Sequence, residues 1–164
     1  MLVGVLADTH DNLPMIEQAA AALRARGAEV LLHAGDFISP FALKLLLRAG
    51  LPVIGVFGNN DGDREELTKI GVELFSSPHR FELAGRRVIM AHEPVVMWKA
   101  LEEGDELAVC GHTHCAEVSA GPPLIVNPGE ASGWLSGHAT VAMVNLKDLS
   151  AEVVEFGMQE RPQI

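Results

Sequence analysis

The chain has two cysteines, Cys110 and Cys115, and they flank one short stretch instead of forming a spaced framework. That is no secreted disulfide pattern. Bases are scarce, 12 Lys and Arg against 22 Asp and Glu, for a formal net charge of -10. Affinity for a phosphate backbone comes largely from Lys and Arg, so this balance argues against a long nucleic-acid partner. No apolar run is long enough to span a bilayer, and the first strand begins at Met1 without a basic leader region. Repeats, linkers and low-complexity segments are absent. The expectation is one soluble, cytoplasmic domain over residues 1–164, with 48% hydrophobic and 21% charged residues and enough chain to bury a sizeable core.

Strand and helix alternate along the first half. Met1 to Ala7 is a continuous apolar run, as expected for a strand covered on both faces. A helix over Met15–Arg26 follows, with Pro14 near its start and Gly27 as its stop. Val30–Ala34 is the second strand. Ser39 and Pro40 open a helix through Arg48, closed by Gly50. Val53–Phe57 is the third strand and Asp63–Ile70 a short helix. This βαβαβα rhythm implies a mostly parallel sheet. The second half is more antiparallel. Phe81–Leu83 and Arg87–Ala91 read as a hairpin, Val95–Glu102 as a helix and Leu107–Cys110 as a strand. Glu117–Ser119 and Leu124–Val126 bracket Gly121-Pro122-Pro123 as a second hairpin, and Thr140–Asn145 and Glu152–Phe156 finish the chain as antiparallel strands. The class is α/β.

Ligand-type residues stand just beyond five of these strands: Asp8 and His10, Asp36, Asn59, His92, then His112 and His114. The carboxyl ends of neighbouring strands in an α/β sheet meet at one edge, where ligands bind. Taken singly, a Gly-Asp or Gly-Asn pair is usually a turn, and a lone histidine is usually satisfied in the core. Five coincidences at one edge are hard to explain that way. In Gly111-His112-Thr113-His114 the glycine is expected to turn the backbone sharply so that both imidazoles converge.

Two carboxylates, one amide oxygen and four imidazoles suit Mn, Fe, Co, Ni or Zn better than Mg or Ca. Seven protein ligands are too many for one such ion but fit two that share a bridging carboxylate. A pair of ions about 3.5–4 Å apart can clamp the attacking and leaving oxygens of a phosphoryl displacement. Water on such an ion ionises at a pKa of about 7–9, so the expected nucleophile is a hydroxide rather than a side chain.

Asp8-Thr9-His10, Gly35-Asp36, Gly58-Asn59-Asn60-Asp61, His92 and Gly111-His112-Thr113-His114 together resemble the calcineurin-like metallophosphoesterases, and most closely their small single-domain bacterial and archaeal phosphodiesterases. The resemblance runs from Met1 to about Phe156. It implies two facing mixed β-sheets flanked by helices, one metal on Asp8, His10 and His114, another on Asn59, His92 and His112, and Asp36 bridging. It also implies Mn as a common activating metal, a small phosphoester as substrate, and a homodimer or larger homo-oligomer. Phosphomonoester or nucleotide-pyrophosphate hydrolysis at the same site is the alternative within catalysis. A non-catalytic scaffold subunit of the retromer type is the alternative outside it, disfavoured because all seven positions carry competent donors.

Two departures from the family pattern stand out. Asn60 occupies the position where most of the family has a histidine that contacts phosphate and protonates the leaving oxygen. General acid catalysis is worth about 10²–10⁴-fold, so slow turnover is expected on poor leaving groups. Glu130 follows Asn127-Pro128-Gly129 where relatives often have Ser, and is expected to face solvent. Asp11 and Asn12 are expected to start the first helix, and Asp61 to be a turn residue or a brace for Asn60 or an imidazole. His33 reads as a core histidine, His79 and His138 as surface residues, and Cys115 as a small packed side chain. Trp98 and Trp134 are open between covering the cleft and forming a subunit contact.

Overall fold

The computed structural model describes residues 1–158 as two facing β-sheets with helices on the outer faces. In chain order the elements are β1 (Leu2–Leu6), α1 (Leu13–Ala25), β2 (Val30–His33), α2 (Pro40–Leu47), β3 (Val53–Val56), α3 (Arg64–Thr68), β4 (Glu73–Phe75), β5 (His79–Leu83), β6 (Arg86–Met90), α4 (Pro94–Ala100), β7 (Leu107–Val109), β8 (Ala116–Ser119), β9 (Leu124–Pro128), β10 (His138–Asn145) and β11 (Ser150–Met158). Six strands form one sheet in the order β11-β10-β1-β2-β3-β4, and five form the other in the order β5-β6-β7-β9-β8. Strands β1 to β4 are mutually parallel, as are β6, β7 and β9; β5, β8, β10 and β11 pair antiparallel to their neighbours.

Strand alternation explains the layering. Val3 and Val5 of β1, Val30 and Leu32 of β2, and Val56 of β3 point inward and meet Val88, Met90, Leu107 and Val109 of the facing sheet. Leu6 and Leu31 face the other way, against Ile16, Leu23, Leu43 and Leu46 of α1 and α2. The far side of the second sheet is covered by α4, where Met97 packs on Ile89, Ala108 and Cys110. Each fully buried Val or Leu contributes about 1.5–3 kcal/mol. Packing on both faces therefore holds the carboxyl ends of β1, β2, β3, β6 and β7 in place, and those ends carry the ligand-type residues.

The helix starts follow local chemistry. Ser39 caps α2, its hydroxyl oxygen accepting from Ala42 N at 3.5 Å with Pro40 next in the chain, and Asp63 caps α3 by accepting from Glu66 N at 3.1 Å. The short strand β4 was not expected. Its three residues pair only with β3, and Glu73-Leu74-Phe75 is too brief for a readable period. Strands β10 and β11 also run longer than expected, beginning at His138 and Ser150. Among the described residues, no helix is long and apolar enough to cross a membrane.

Candidate metal centre

The seven candidate ligands come from both sheets rather than from one open edge. Asp8, Asp36 and Asn59 follow β1, β2 and β3, while His92, His112 and His114 follow β6 and β7 of the second sheet. They gather in two groups. In the first, Asp8 Oδ1 lies 3.6 Å from His10 Nε2 and 3.4 Å from His114 Nε2, and the two imidazole nitrogens are 3.4 Å apart. The centre of that triangle lies about 2 Å from each corner, the usual bond length from a first-row divalent ion to nitrogen or oxygen. In the second group, Asn59 Oδ1 is 2.9 Å from His92 Nε2 and 3.0 Å from His112 Nδ1, with the two nitrogens 3.2 Å apart. Asp36 stands between the groups, its Oδ2 3.7 Å from His10 Nε2 and 3.5 Å from His92 Nε2.

The chemistry of these atoms fits cations. His92 Nδ1 lies 2.8 Å from the Ala34 carbonyl, which can only accept, so Nδ1 carries the proton and Nε2 turns its lone pair toward Asp36 and Asn59. Asp8 Oδ2 accepts from His112 N at 2.9 Å, but Asp8 Oδ1 is buried without a hydrogen-bond partner. A buried carboxylate oxygen left unpaired is costly unless something positive meets it. Lone pairs of His92 Nε2, Asn59 Oδ1 and Asp36 Oδ2 thus converge in the second group, and an unpaired carboxylate oxygen sits in the first. Asp8, with Asp36 and Glu130 adding to it, raises the His10 pKa against the lowering effect of burial.

Backbone strain accompanies the convergence. Asp8, His10, Asp36, His112 and His114 all have positive φ, between 40° and 68°. Such conformations cost on the order of 1–3 kcal/mol each in non-glycine residues and persist only where the surroundings impose them. Gly111 itself is not in this region, so the sharp turn expected of it falls on its neighbours. Its lack of a side chain serves close approach instead. A Cβ there would sit 2.7 Å from Ala7 Cβ and 2.9 Å from Asp8 Oδ2. Gly58 is tighter still, since its Cβ would meet Asp36 Oδ1 at 2.1 Å.

A second layer of groups holds the loops. Asp61 accepts from Asp36 N at 3.0 Å, Ile38 N at 2.8 Å and Gly58 N at 2.8 Å, so it braces backbone rather than Asn60 or an imidazole. Burial pushes its carboxyl up against those three hydrogen bonds. His33 is a core histidine as expected. Gly35 N–H donates to its Nδ1, leaving Nε2 to donate to Thr9 Oγ1, which in turn donates to the Asp36 carbonyl. Burial, then the neighbouring His92 and His10, drives its pKa well below the ordinary value, which keeps that relay neutral. Asn127 Nδ2 donates to Gly111 O and Thr113 Oγ1, tying the second hairpin to the Gly-His-Thr-His loop.

Several expectations are corrected. Glu130 does not face solvent; it is fully buried, and its Oε1 lies 3.3 Å from His114 Nδ1, within ion-pairing distance but off hydrogen-bonding angle. Burial would raise its pKa, yet the N–H groups of Ser136 and Leu135 and the hydroxyls of Ser132 and Ser136 outweigh that and hold it low. A carboxylate behind a ligating imidazole orients the ring and raises its basicity. Asn12 stands at the N-cap of α1 as expected, its carbonyl accepting from Ile16 N at 2.9 Å, but neither side chain caps the helix: Asp11 Oδ1 accepts from Ser39 N and Oγ, and Asn12 Nδ2 donates to the Ser132 carbonyl at 2.7 Å. Cys115 is exposed just before β8 rather than packed, whereas Cys110 is buried and its thiol is pushed up to about 12, chiefly by burial. His138 is on the surface, paired with Glu155, while His79 is half-buried and stacks on Phe75 at 3.7 Å.

Asn60 reaches the centre from the mouth. Its N–H donates to Asp36 Oδ1 at 3.0 Å and its Nδ2 to Asp36 Oδ2 at 2.7 Å. Clefts open on both sides of the cluster. One, of about 340 Å³, runs past His10, Asn60 and His114 to Trp134; the other, of about 290 Å³, runs past Asn59 and His92 to Arg64 and Ser77. Trp134 thus borders the site, while Trp98 is exposed on α4.

Two stacked sheets with two buried carboxylates and four imidazoles gathered at their strand ends have the architecture of a metal-dependent phosphoesterase. The family profile of the calcineurin-like phosphoesterase superfamily domain matches residues 1–149, and the chain belongs to that superfamily. A phosphodiesterase of Methanocaldococcus jannaschii is 31% identical over 156 residues, covering 88% of this chain and 93% of the relative. Among solved structures, an archaeal phosphodiesterase superposes with a TM-score of 0.86 at 27% identity, over 95% of this chain and 100% of the other. Vps29 of Entamoeba histolytica shares the fold at a TM-score of 0.68 and 17% identity, over 96% of this chain and 100% of the other.

Proposed function

We propose that this phosphoesterase is a phosphodiesterase with a dinuclear centre. Asp8, His10 and His114 hold one divalent cation, Asn59, His92 and His112 the other, and Asp36 is shared. The observation that carries the reading is the position of Asp36 Oδ2, 3.7 Å from a nitrogen of one group and 3.5 Å from a nitrogen of the other. Bound there, the two cations would supply Lewis acidity to a phosphate ester and lower the pKa of a water. The imidazole donors favour Mn, Fe, Co, Ni or Zn, with Mn the first to try.

The chain's own residues bind and orient. His92, locked by the Ala34 carbonyl, presents Nε2, and His114, backed by Glu130, presents its own Nε2. Asn60, now donating to Asp36, is placed to turn its amide onto a phosphate oxygen. An amide cannot deliver a proton, so the leaving oxygen departs without help from this position and activated esters are favoured. Clefts on both sides of the cluster suit a diester, which carries a group on each side of its phosphorus. The phosphodiesterase name of a relative 31% identical over nearly all of this chain supports the same choice. The setting we infer is the cytoplasm, with the chain acting as one domain and as a homo-oligomer.

A scaffold role of the retromer type is the other reading, and the shared fold with Vps29 keeps it open. Retention of all seven donors argues for catalysis. The test strips metal with a chelator, restores Mn, and assays bis(4-nitrophenyl) phosphate beside 4-nitrophenyl phosphate. Mn-dependent turnover of the diester, lost in Asp36→Asn, is expected. Metal binding without turnover of any phosphoester would favour the scaffold.

A further inference from the structure

The two clefts that flank the ligand cluster are chemically unlike. The one past His92 is mixed, with Arg64, Ser76, Ser77 and Glu93 on its walls beside Phe57 and Val96. Arg64 is spoken for there: its guanidinium donates to the carbonyls of Asp61 and Gly58 and lies over the Phe57 ring. The cleft past His10 and His114 ends instead on Trp134 and Leu135. These are large apolar side chains left 54% and 75% exposed. Single exposed apolar residues are common on protein surfaces. Two adjacent ones that wall a cleft opening onto a reaction centre are a different matter, because a bound ligand would cover them.

The wall is also fixed in advance. Trp134 Nε1 donates to the His10 carbonyl at 3.3 Å, so the indole edge is tied to a ligand-bearing loop. Glu130, buried beneath, accepts from Leu135 N at 2.9 Å, Ser136 N at 2.9 Å and Ser132 Oγ at 2.8 Å. Asn12 Nδ2 holds the Ser132 carbonyl at 2.7 Å. A loop held this way costs less ordering when a ligand arrives.

We propose that this cleft is a subsite for one ester group of the substrate, and that the group it takes is flat and aromatic, an aryl ring or a nucleobase, stacked on Trp134 beside Leu135. The inference rests on the phosphodiesterase reading above and specifies its substrate class. A phosphate seated at the cluster would carry its two ester groups into the two clefts. The apolar aromatic one belongs against the indole, and the other runs past Arg64. Stacking of a base on an aromatic side chain is sequence-tolerant, because every base has a π-face.

The chain has two tryptophans, so Trp98→Phe leaves Trp134 as the sole indole reporter. In Mn-loaded protein of that variant, phenyl phosphate and adenosine monophosphate should quench the fluorescence saturably, and methyl phosphate should bind at least about tenfold more weakly. Tighter binding of the nucleotide assigns nucleoside esters, and tighter binding of the phenyl ester assigns simple aryl esters. For bis(4-nitrophenyl) phosphate, Trp134→Ala should raise KM about tenfold, within the range measured for stacking contacts. Trp134→Phe, which keeps a flat face but loses the hydrogen bond to His10, should restore KM to within about twofold. Equal binding of methyl and phenyl phosphate, or a Phe variant as impaired as the Ala variant, would overturn the subsite and leave Trp134 as a prop for His10. Quenching that persists without diester turnover would sink the phosphodiesterase reading while leaving the aromatic subsite standing.

Discussion

Substituting Gly58 by alanine adds one methyl group at the point where two ligand loops touch. An ideal Cβ there meets Asp36 Oδ1 at 2.1 Å, Asp36 N at 2.6 Å and Asp36 Cγ at 2.9 Å. Ordinary contact begins near 3.4 Å, so the Asp36 carboxylate must move by more than an ångström. Asp36 has little room to give, with its amide held by Asp61 and its oxygens by Asn60. Overpacking of this kind costs about 1–3 kcal/mol. For a chain of this size that is a fall in Tm of about 2–12 °C. A displacement of about 1 Å at a reacting centre costs on the order of 10²-fold in rate. Gly62→Ala is the matched control, since nothing lies within 4 Å of its Cβ and its φ is not positive. Thermal unfolding and calorimetric titration with Mn should show Gly58→Ala less stable and weaker in metal binding, with Gly62→Ala close to the parent. Parental Mn affinity and stability in Gly58→Ala would refute the argument that the bare glycine positions Asp36.

Glu130→Gln removes the charge behind His114 Nδ1 and should weaken Mn binding about 10–100-fold by calorimetry; an unchanged affinity would assign the carboxylate to the loop alone. Asn60→His should raise turnover on poorly leaving diesters more than on nitrophenyl esters, and an equal gain on both would remove the leaving-group argument. Away from the site, Arg80 grips Asp105 through two contacts of 2.9 and 3.0 Å, and this holds the Asp105 pKa below its ordinary 3.8 against the effect of burial. A depressed carboxylate stabilises above its unfolded pKa and loses that contribution as pH falls through the folded value. Asp105→Asn should therefore cost about 1.5–3 kcal/mol in urea unfolding near pH 7, the worth of hydrogen bonds to a charged group. The difference from the parent should shrink as pH falls below the ordinary carboxylate pKa of 3.8 and through the lower folded value. A cost independent of pH would point to packing instead.

The strands that carry the centre were readable because they are continuous apolar runs ending in polar residues, as in Met1–Ala7 before Asp8. The chain also placed Pro40 and Ser39 at a helix start where the structure has them. Strand β4 escaped notice because three residues give no period. At the centre, the convergence of Asp8, His10, Asp36, Asn59, His92, His112 and His114 could be anticipated from strand ends. The two facing sheets followed only from family resemblance, and the division of the ligands between them was not anticipated. Glu130 was misread because a glutamate near a Gly-rich turn looks solvated. Its burial depends on donors from Ser132, Leu135 and Ser136, whose hydrogen bonds close a loop that no local pattern announces. Asp61 and Asp11 were misjudged for a related reason. Gly58 N is a local partner of Asp61, but Asp36 N lies 25 residues from it and Ser39 N lies 28 from Asp11, beyond the reach of turn and capping rules.

The most direct test of the shared-carboxylate centre is anomalous diffraction from crystals of the chain soaked in Mn, collected for the parent and for Asp36→Asn. Two peaks about 3.5–4 Å apart are expected in the parent, one against Asp8, His10 and His114 and one against Asn59, His92 and His112, with Asp36 touching both. A single peak, or a pair with Asp36 bound to neither, would contradict the account.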